Sequence, residues 1–421
     1  MFLDKISYWF ICLYIIVLPL VPTKTEIVGR KISPADVILA LVILTYILKI
    51  VTFSKSRSKF VDGIKDFFTN YLSIFMGVLA LMMLISVSYA VEKKLALSES
   101  IRFIVYIIIY FIIKYDTNSK KCTIGMMRSY IFSTLVLSLF GIYQYFTGYG
   151  LEGKFKENYG YLRYKIMANM DNPNNLAAFL ILAIFPMIML AIYEKEKIKK
   201  LFYIMLSLLI FSDLILTGSR NAIIGIMVGV VILAIVYSFR LFILMALLGG
   251  ISIFIPVIRT RLMAITDKTQ NESRIYLWEI AKRMIKDHPL FGVGNGNYVS
   301  LYDKYTEIYP QFKFYGYTRF PCHNSYLKIE SELGIIGGVS FAGVLISSLI
   351  AVKKFISTTQ DEFYKFFYTG FLASMISFYV MNLSDNLFFV PKTTSYFWIL
   401  LAISQGIMFR AKSNKSYLFH T

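Results

Sequence analysis

The sequence predicts an all-α integral membrane protein of about 12 transmembrane helices, and three observations carry that expectation. Hydrophobic residues fill 57% of the 421 positions against 16% charged, and the mean hydropathy is +0.62, an apolar share beyond that of a water-soluble domain. The apolar residues run in stretches near the length of a bilayer crossing. The formal net charge of +19 is spread over short basic runs between those stretches. That pattern suits membrane orientation and argues against nucleic acid as a partner, which would call for one basic face.

In chain order the expected spans are 7–22, 34–53, 71–90, 101–114, 129–147, 174–193, 201–217, 220–238, 241–258, 326–352, 363–382 and 393–410. The first has the apolar core of a signal sequence, but Pro19, Leu20, Val21 and Pro22 make no small-residue cleavage site, so it reads as a retained helix. Alternate connections are consistently basic: Lys49, Lys55, Arg57, Lys59 and Lys65, then Lys114, Lys120 and Lys121, then 195–200, then Lys353 and Lys354, then Arg410, Lys412 and Lys415. Those belong inside, because short basic loops resist translocation and the inner leaflet is negative. Both termini are then cytoplasmic, and the long loops 148–173 and 259–325 face outward from the cytoplasmic (inner) membrane. The chain reads as a single polytopic membrane domain, 1–421, with no repeat and no separate soluble domain. Cys12, Cys122 and Cys322 are not placed to bridge, so no disulfide is expected.

In the larger outer loop, Leu277, Ile280, Ala281, Met284 and Ile285 share one helical face, with Glu279, Lys282, Arg283 and Lys286 on another. This predicts an amphipathic helix capped by Ser273 and ended by Pro289, lying on the membrane surface or over a cavity. Arg274 sits in its first turn, four residues before Trp278.

Polar residues near the helix ends are the candidates for chemistry. In LTGSRNAIIG, Arg220 stands where one apolar helix ends and the next begins, at the depth of a lipid diphosphate that guanidinium matches in bidentate fashion. The alternative is an interfacial arginine that merely snorkels. Asp213 lies seven residues earlier inside an apolar segment, where a carboxyl needs a partner. Arg274 is a second phosphate ligand or a solvated loop residue. Gly292, Gly294 and Gly296 alternate in HPLFGVGNGNY and allow backbone N–H groups to form an anion cradle, although a flexible turn is the plainer reading. No strand precedes them, so a dinucleotide site is excluded.

His323 opens HNSYLKIESELGIIGG at the junction of loop and helix, where an imidazole can accept a proton near neutral pH or simply cap the helix. Glu332 follows nine residues later. The other histidines are His288 and His420. Glu26 and Asp36 are acids of the first outer connection, solvated by default. No His or Cys pair has metal-ligand spacing, so the site is expected to use no metal and no cofactor.

Together LTGSRNA, SRIYLWEIAKRMIKDHPLFGVGNGNY and HNSYLKIESELGIIGG resemble the O-antigen ligase and O-antigen polymerase superfamily of bacterial polyprenyl-diphosphate-glycan transferases. The segment MANMDNPNNLAAFL looks like that family's Asn-Pro-Asn helix start, with Arg163 shortly before it. The resemblance is strongest from about residue 160 to 340. It implies a membrane glycosyltransferase C-like fold and transfer of a glycan, on the outer face, from a polyprenyl-diphosphate carrier such as undecaprenyl diphosphate. Carried onto this chain, it implies that Arg220 and Arg274 hold the donor diphosphate and that His323 serves the acceptor, with Arg163, Asn324, Glu332 and Asp385 (in the polar break Ser384 to Asn386) in support.

A sugar diphosphate is an activated donor whose departing charge two arginines can stabilise without metal, and a base on the acceptor hydroxyl gives inversion at the anomeric carbon. Abundant Lys, Ile, Asn and Tyr point to an AT-rich source genome. A Gram-positive source would have no lipopolysaccharide core to receive a chain, which favours polymerisation of polysaccharide repeat units over ligation of a finished glycan to lipid or protein. The expected partners are a polyprenyl-diphosphate-linked oligosaccharide, a glycan or lipid acceptor, membrane lipids, a flippase and a chain-length regulator. A lipid-linked oligosaccharide flippase is the reading from another class, disfavoured because transporters usually show related halves and helices broken at mid-membrane, whereas the polar content here lies in one outer loop near the membrane surface. A structural partner in an export complex is a further alternative.

Overall fold

The computed structural model describes residues 2–22, 26–27, 30–31, 33–151, 153–155, 162–240 and 268–418, with isolated positions between 241 and 267. Helix α1 (Phe2–Leu20) leads through a two-residue antiparallel pair, Glu26–Ile27 with Arg30–Lys31, to α2 (Pro34–Thr52). Ser33 and Asp36 start α2 as a reciprocal capping box with Pro34 in the first turn, so Asp36 is occupied as a cap. The Glu26 side chain lies outside the described residues.

The basic connection expected after α2 is instead a helix, α3 (Ser54–Thr69), bent 85° from α4 (Tyr71–Ser86). Its charged residues hid it from a search for apolar runs. Gly63 lets Phe111 and Tyr115 pack against it, and Asp66 accepts hydrogen bonds from Lys114 Nζ and Tyr115 Oη, both at 2.7 Å. Helix α5 (Lys93–Phe111), which ends in a π turn over Ile112–Asp116, starts well before the expected residue 101, and its additional turns include Glu99, which pairs with Arg102 at 2.7 Å.

Then follow α6 (Lys120–Thr147), α7 (Pro173–Tyr193), α8 (Lys197–Leu216), α9 (Arg220–Val236), α10 (Lys268–Asp287), α11 (Tyr298–Ile308), α12 (Ser325–Thr358), α13 (Glu362–Met381) and α14 (Pro391–Leu418). The expected span 241–258 falls largely outside the described residues. Every other expected span coincides with a helix. Among the described residues six helices are long and apolar enough to cross a bilayer, or seven if α3 and α4 form one bent span, and α9 is a shorter apolar helix. Apart from the two-residue antiparallel pair, the regular structure of the described residues is helical, and the protein is thus a multi-pass helical membrane protein.

Helix α7 is buried along most of its length and packs on α8, α9 and α13. Gly370 of α13 makes the closest approach possible: a Cβ there would sit 2.4 Å from the Phe185 carbonyl oxygen. Helix α14 lies across α5, α6 and α7, while α4 packs on α12. Lys392, buried at the start of α14, donates to the carbonyls of Val21 and Asn169 and so ties three loops at one end of the bundle. At the opposite end, buried Lys49 pairs with Asp4 and Asp116.

The segment 268–325, part of the loop expected outside and called the outer unit from here on, contains a second hydrophobic core. Leu277, Ile280, Ala281 and Met284 of α10 pack with Tyr298, Tyr302 and Tyr305 of α11 and with Cys322. This corrects one expectation: the apolar face of α10 is covered by its own partner helix and by α12, so it is not free to lie on the membrane surface. Ser273 does not cap α10 because the helix has already formed by Lys268.

Candidate active site

His323 sits where the outer unit rejoins the bundle, just before Asn324 caps α12 by accepting from the Tyr326 and Leu327 N–H groups at 3.0 Å. Its backbone is left-handed, φ +50°, a strained conformation for a non-glycine residue. Its Nδ1 lies 2.9 Å from Asp385 Oδ1. A clasp holds the pair across 62 residues of sequence: Ser325 N–H donates to the Asn382 carbonyl at 2.9 Å, Ser325 Oγ to Asn382 Oδ1 at 2.6 Å, and Asn324 Nδ2 to the Leu383 carbonyl at 2.8 Å.

Asp385 is held on both oxygens. Oδ1 also accepts from the Asn386 N–H, and Oδ2 accepts from Asn174 Nδ2, each at 2.8 Å. Burial alone would raise its carboxyl, but the hydrogen bond and charge of His323, followed by Asn386 N–H and the charge of Arg274, keep it below the ordinary carboxylate range. The Asn-Pro-Asn segment thereby acquires three roles: Asn172 caps α7, Pro173 begins it, and Asn174 reaches Asp385. That last link was missed in the sequence, where the segment marked only a helix start.

Arg220 and Arg274 arrive from different elements. Ser219 caps α9, and Arg220 Nη1 donates to Asn271 Oδ1 at 3.1 Å, one helical turn before Arg274 on α10. A further turn along, Trp278 Nε1 donates to the His323 carbonyl at 3.3 Å, which fixes α10 over the histidine. The start of α9 also touches the Asp385 turn, since Asn221 Nδ2 donates to the Met381 carbonyl at 3.2 Å and Ser384 Oγ to Asn221 Oδ1 at 2.5 Å. Arg220, Arg274, His323 and Asp385 therefore gather at one end of the bundle, under the outer unit.

Other sequence candidates are placed differently. Arg163 is exposed; its Nη1 donates to the Phe146 carbonyl at 3.4 Å and its guanidinium lies 5.2 Å from the Tyr164 ring, with no contact to the cluster. Glu332 is fully buried and accepts from the Gly296 and Tyr298 N–H groups at 2.8 and 3.2 Å while pairing with Lys328. The glycine-rich turn is thus an anion cradle after all, and the anion it holds is the chain's own Glu332. Asp213, expected to have a partner, is buried near Gly141 with neither oxygen hydrogen-bonded to a described residue. Cys322 is a free thiol pushed up by burial, which makes it a poor nucleophile. Among the described residues no three His, Cys, Asp or Glu side chains converge.

Chemically, the cluster pairs two guanidiniums with an imidazole whose Nδ1 is tied to a carboxylate. An Nδ1–H bond to Asp385 leaves Nε2 as the lone-pair nitrogen, and Nε2 has no hydrogen-bond partner among the described residues. Residues 204–342 match the model of a family described as O-antigen ligase. Comparison with curated proteins found no match.

Proposed function

We propose that the protein, whose residues 204–342 match the O-antigen ligase family model, transfers glycan from a polyprenyl diphosphate on the outer face of the cytoplasmic membrane, by polymerising surface-polysaccharide repeat units. The observation that carries this reading is the His323–Asp385 pair, 2.9 Å apart, beside α10, which carries Arg274 and contacts Arg220 through Asn271. In the reaction, Nε2 of His323 takes the proton of the acceptor hydroxyl as its oxygen bonds to the anomeric carbon. The bond from that carbon to the diphosphate oxygen breaks, and the polyprenyl diphosphate leaves with the electron pair. Arg220 and Arg274 neutralise the charge that grows on it. Attack opposite the leaving group inverts the anomeric centre. Asp385 holds the Nδ1–H tautomer and stabilises the imidazolium, as the carboxylate of a hydrolase triad does.

The test is reconstitution in nanodiscs with a polyprenyl-diphosphate-linked repeat unit. A ladder of longer glycans, lost in His323→Ala and Arg220→Ala, supports a polymerase. Addition of a single finished chain to a lipid or protein acceptor makes it a ligase instead. An unconsumed donor with every acceptor supplied sinks the transferase reading in favour of transport, and a product retaining the donor's anomeric configuration by nuclear magnetic resonance sinks the single-displacement mechanism.

A further inference from the structure

Four rings at three-residue spacing lead through the outer unit to the imidazole: Phe314, Tyr317, Phe320 and His323. Phe314 and Tyr317 have centroids 4.9 Å apart, Tyr317 and Phe320 stack face to face at 3.7 Å and 7°, and Phe320 lies 5.6 Å from the His323 ring. The rings are half-buried: Tyr317 and Phe320 pack on the second hydrophobic core and keep part of their surface in solvent. The segment that carries them is pinned. Arg319 adopts φ +47°, its N–H donates to the Asp303 carboxylate at 3.2 Å, and its guanidinium pairs with Glu92 at 2.7 Å. Behind His323, Cys322 is buried.

A hydrophobic core has no need to extend a chain of aromatic rings to the edge of an imidazole. An aliphatic lipid tail would want an unbroken apolar groove, yet exposed Lys313, Thr318 and Arg319 interrupt this row. A pyranose ring fits both features. Its C–H groups carry slight positive charge and meet the negative face of an aromatic ring, while its rim of hydroxyls needs polar neighbours.

We infer that Phe314, Tyr317 and Phe320 form a stacking subsite for the acceptor glycan, which delivers the terminal sugar hydroxyl to His323. The assignment to the acceptor rests on the transferase reading above, because the row ends at the group that takes the acceptor's proton.

The probe is a set of oligosaccharides cut from the source strain's own surface polysaccharide, offered to the full-length protein in nanodiscs. Saturation-transfer nuclear magnetic resonance should show magnetisation passing from aromatic side chains to sugar ring protons. Tyr317→Ala and Phe314→Ala should each raise the glycan Kd and the acceptor KM by roughly five- to tenfold, leaving kcat and donor KM near wild type. Tyr317→Phe should restore both, which separates loss of the ring from loss of the fold. His323→Ala should bind the glycan and not transfer it. Unchanged Kd and acceptor KM in both alanine variants would overturn the subsite. If the wild type consumes no lipid-linked donor while ring-proton saturation still depends on Tyr317, the glycan-stacking subsite stands, and the transferase reading falls together with the assignment of that glycan as acceptor.

Discussion

At the scale of single residues, the pair His323 and Asp385 divides labour in a way that substitutions can separate. If His323 is the base of the proposed transfer, His323→Ala should lower it by about 10²- to 10⁴-fold. Asp385→Asn keeps the shape but turns the imidazole toward the wrong tautomer, so it should lower kcat by a comparable factor with donor KM little changed. Asn174→Ala removes one of three groups that hold Asp385 and should lower kcat less, roughly tenfold, measured as initial rates of glycan extension. The acid dependence follows from the sign of the Asp385 shift. A carboxyl depressed in the folded state adds stability above its unfolded value of about 3.9 and loses it as pH falls through the folded value. The gap in thermal midpoint between wild type and Asp385→Asn should therefore close as pH falls below about 4; a gap that persists unchanged well below that pH contradicts the assignment. Arg220, Arg274 and His323 stood out in the sequence because each lies in a distinctive segment, and the structure brings their elements to one end of the bundle. Asn174 and the occupied state of Glu332 were not, since both depend on partners far along the chain.

At the scale of elements, the outer unit is fastened to α12 by its backbone. Val293 and Gly294 N–H groups donate to the Ser331 and Glu332 carbonyls at 2.9 and 2.8 Å, and the Ile335 N–H donates to the Pro289 carbonyl at 2.9 Å. Gly334 permits this by taking φ +64° and ψ −167°, where a Cβ would lie 2.2 Å from the Leu290 carbonyl oxygen. Gly334→Ala should detach the unit and abolish transfer while the helical bundle survives, which limited proteolysis within 288–297 would show as selective cutting. Glu332→Gln should weaken the cradle without breaking α12, costing about 1–3 kcal/mol, and hydrogen exchange should rise first at the Gly296 and Tyr298 amides. Equal loss of protection across the bundle would mean Glu332 supports the whole fold instead. The alternation of glycines was visible in the sequence, but which anion they would enclose was not. Helix α3 and the early start of α5 escaped for a related reason: their charges are paired or lie along one face, and a search for apolar runs registers only the remainder.

At the scale of the whole molecule, charge and chemistry must agree about which way the bundle faces. Arg220, Arg274, His323, Asp385 and Asn174 lie at one end of their helices, together with the outer unit, whereas the basic α3 and the Lys195–Lys200 connection lie at the other. Basic residues in short connections oppose translocation, so the end carrying α3 is expected inside and the His323 end outside, where a lipid-linked repeat unit would be presented. Single cysteines test this in intact cells, on a background with Cys122 replaced by serine and buried Cys12 and Cys322 retained. Tyr315, 98% exposed at the tip of the outer unit, should react as cysteine with a membrane-impermeant maleimide, and an exposed Lys195→Cys should react only after the membrane is opened. The reverse pattern would put Arg220 and Arg274 in the cytoplasm. Transfer would then have to precede translocation of the glycan, and the order of the reaction sequence, not merely the topology, would need to be redrawn.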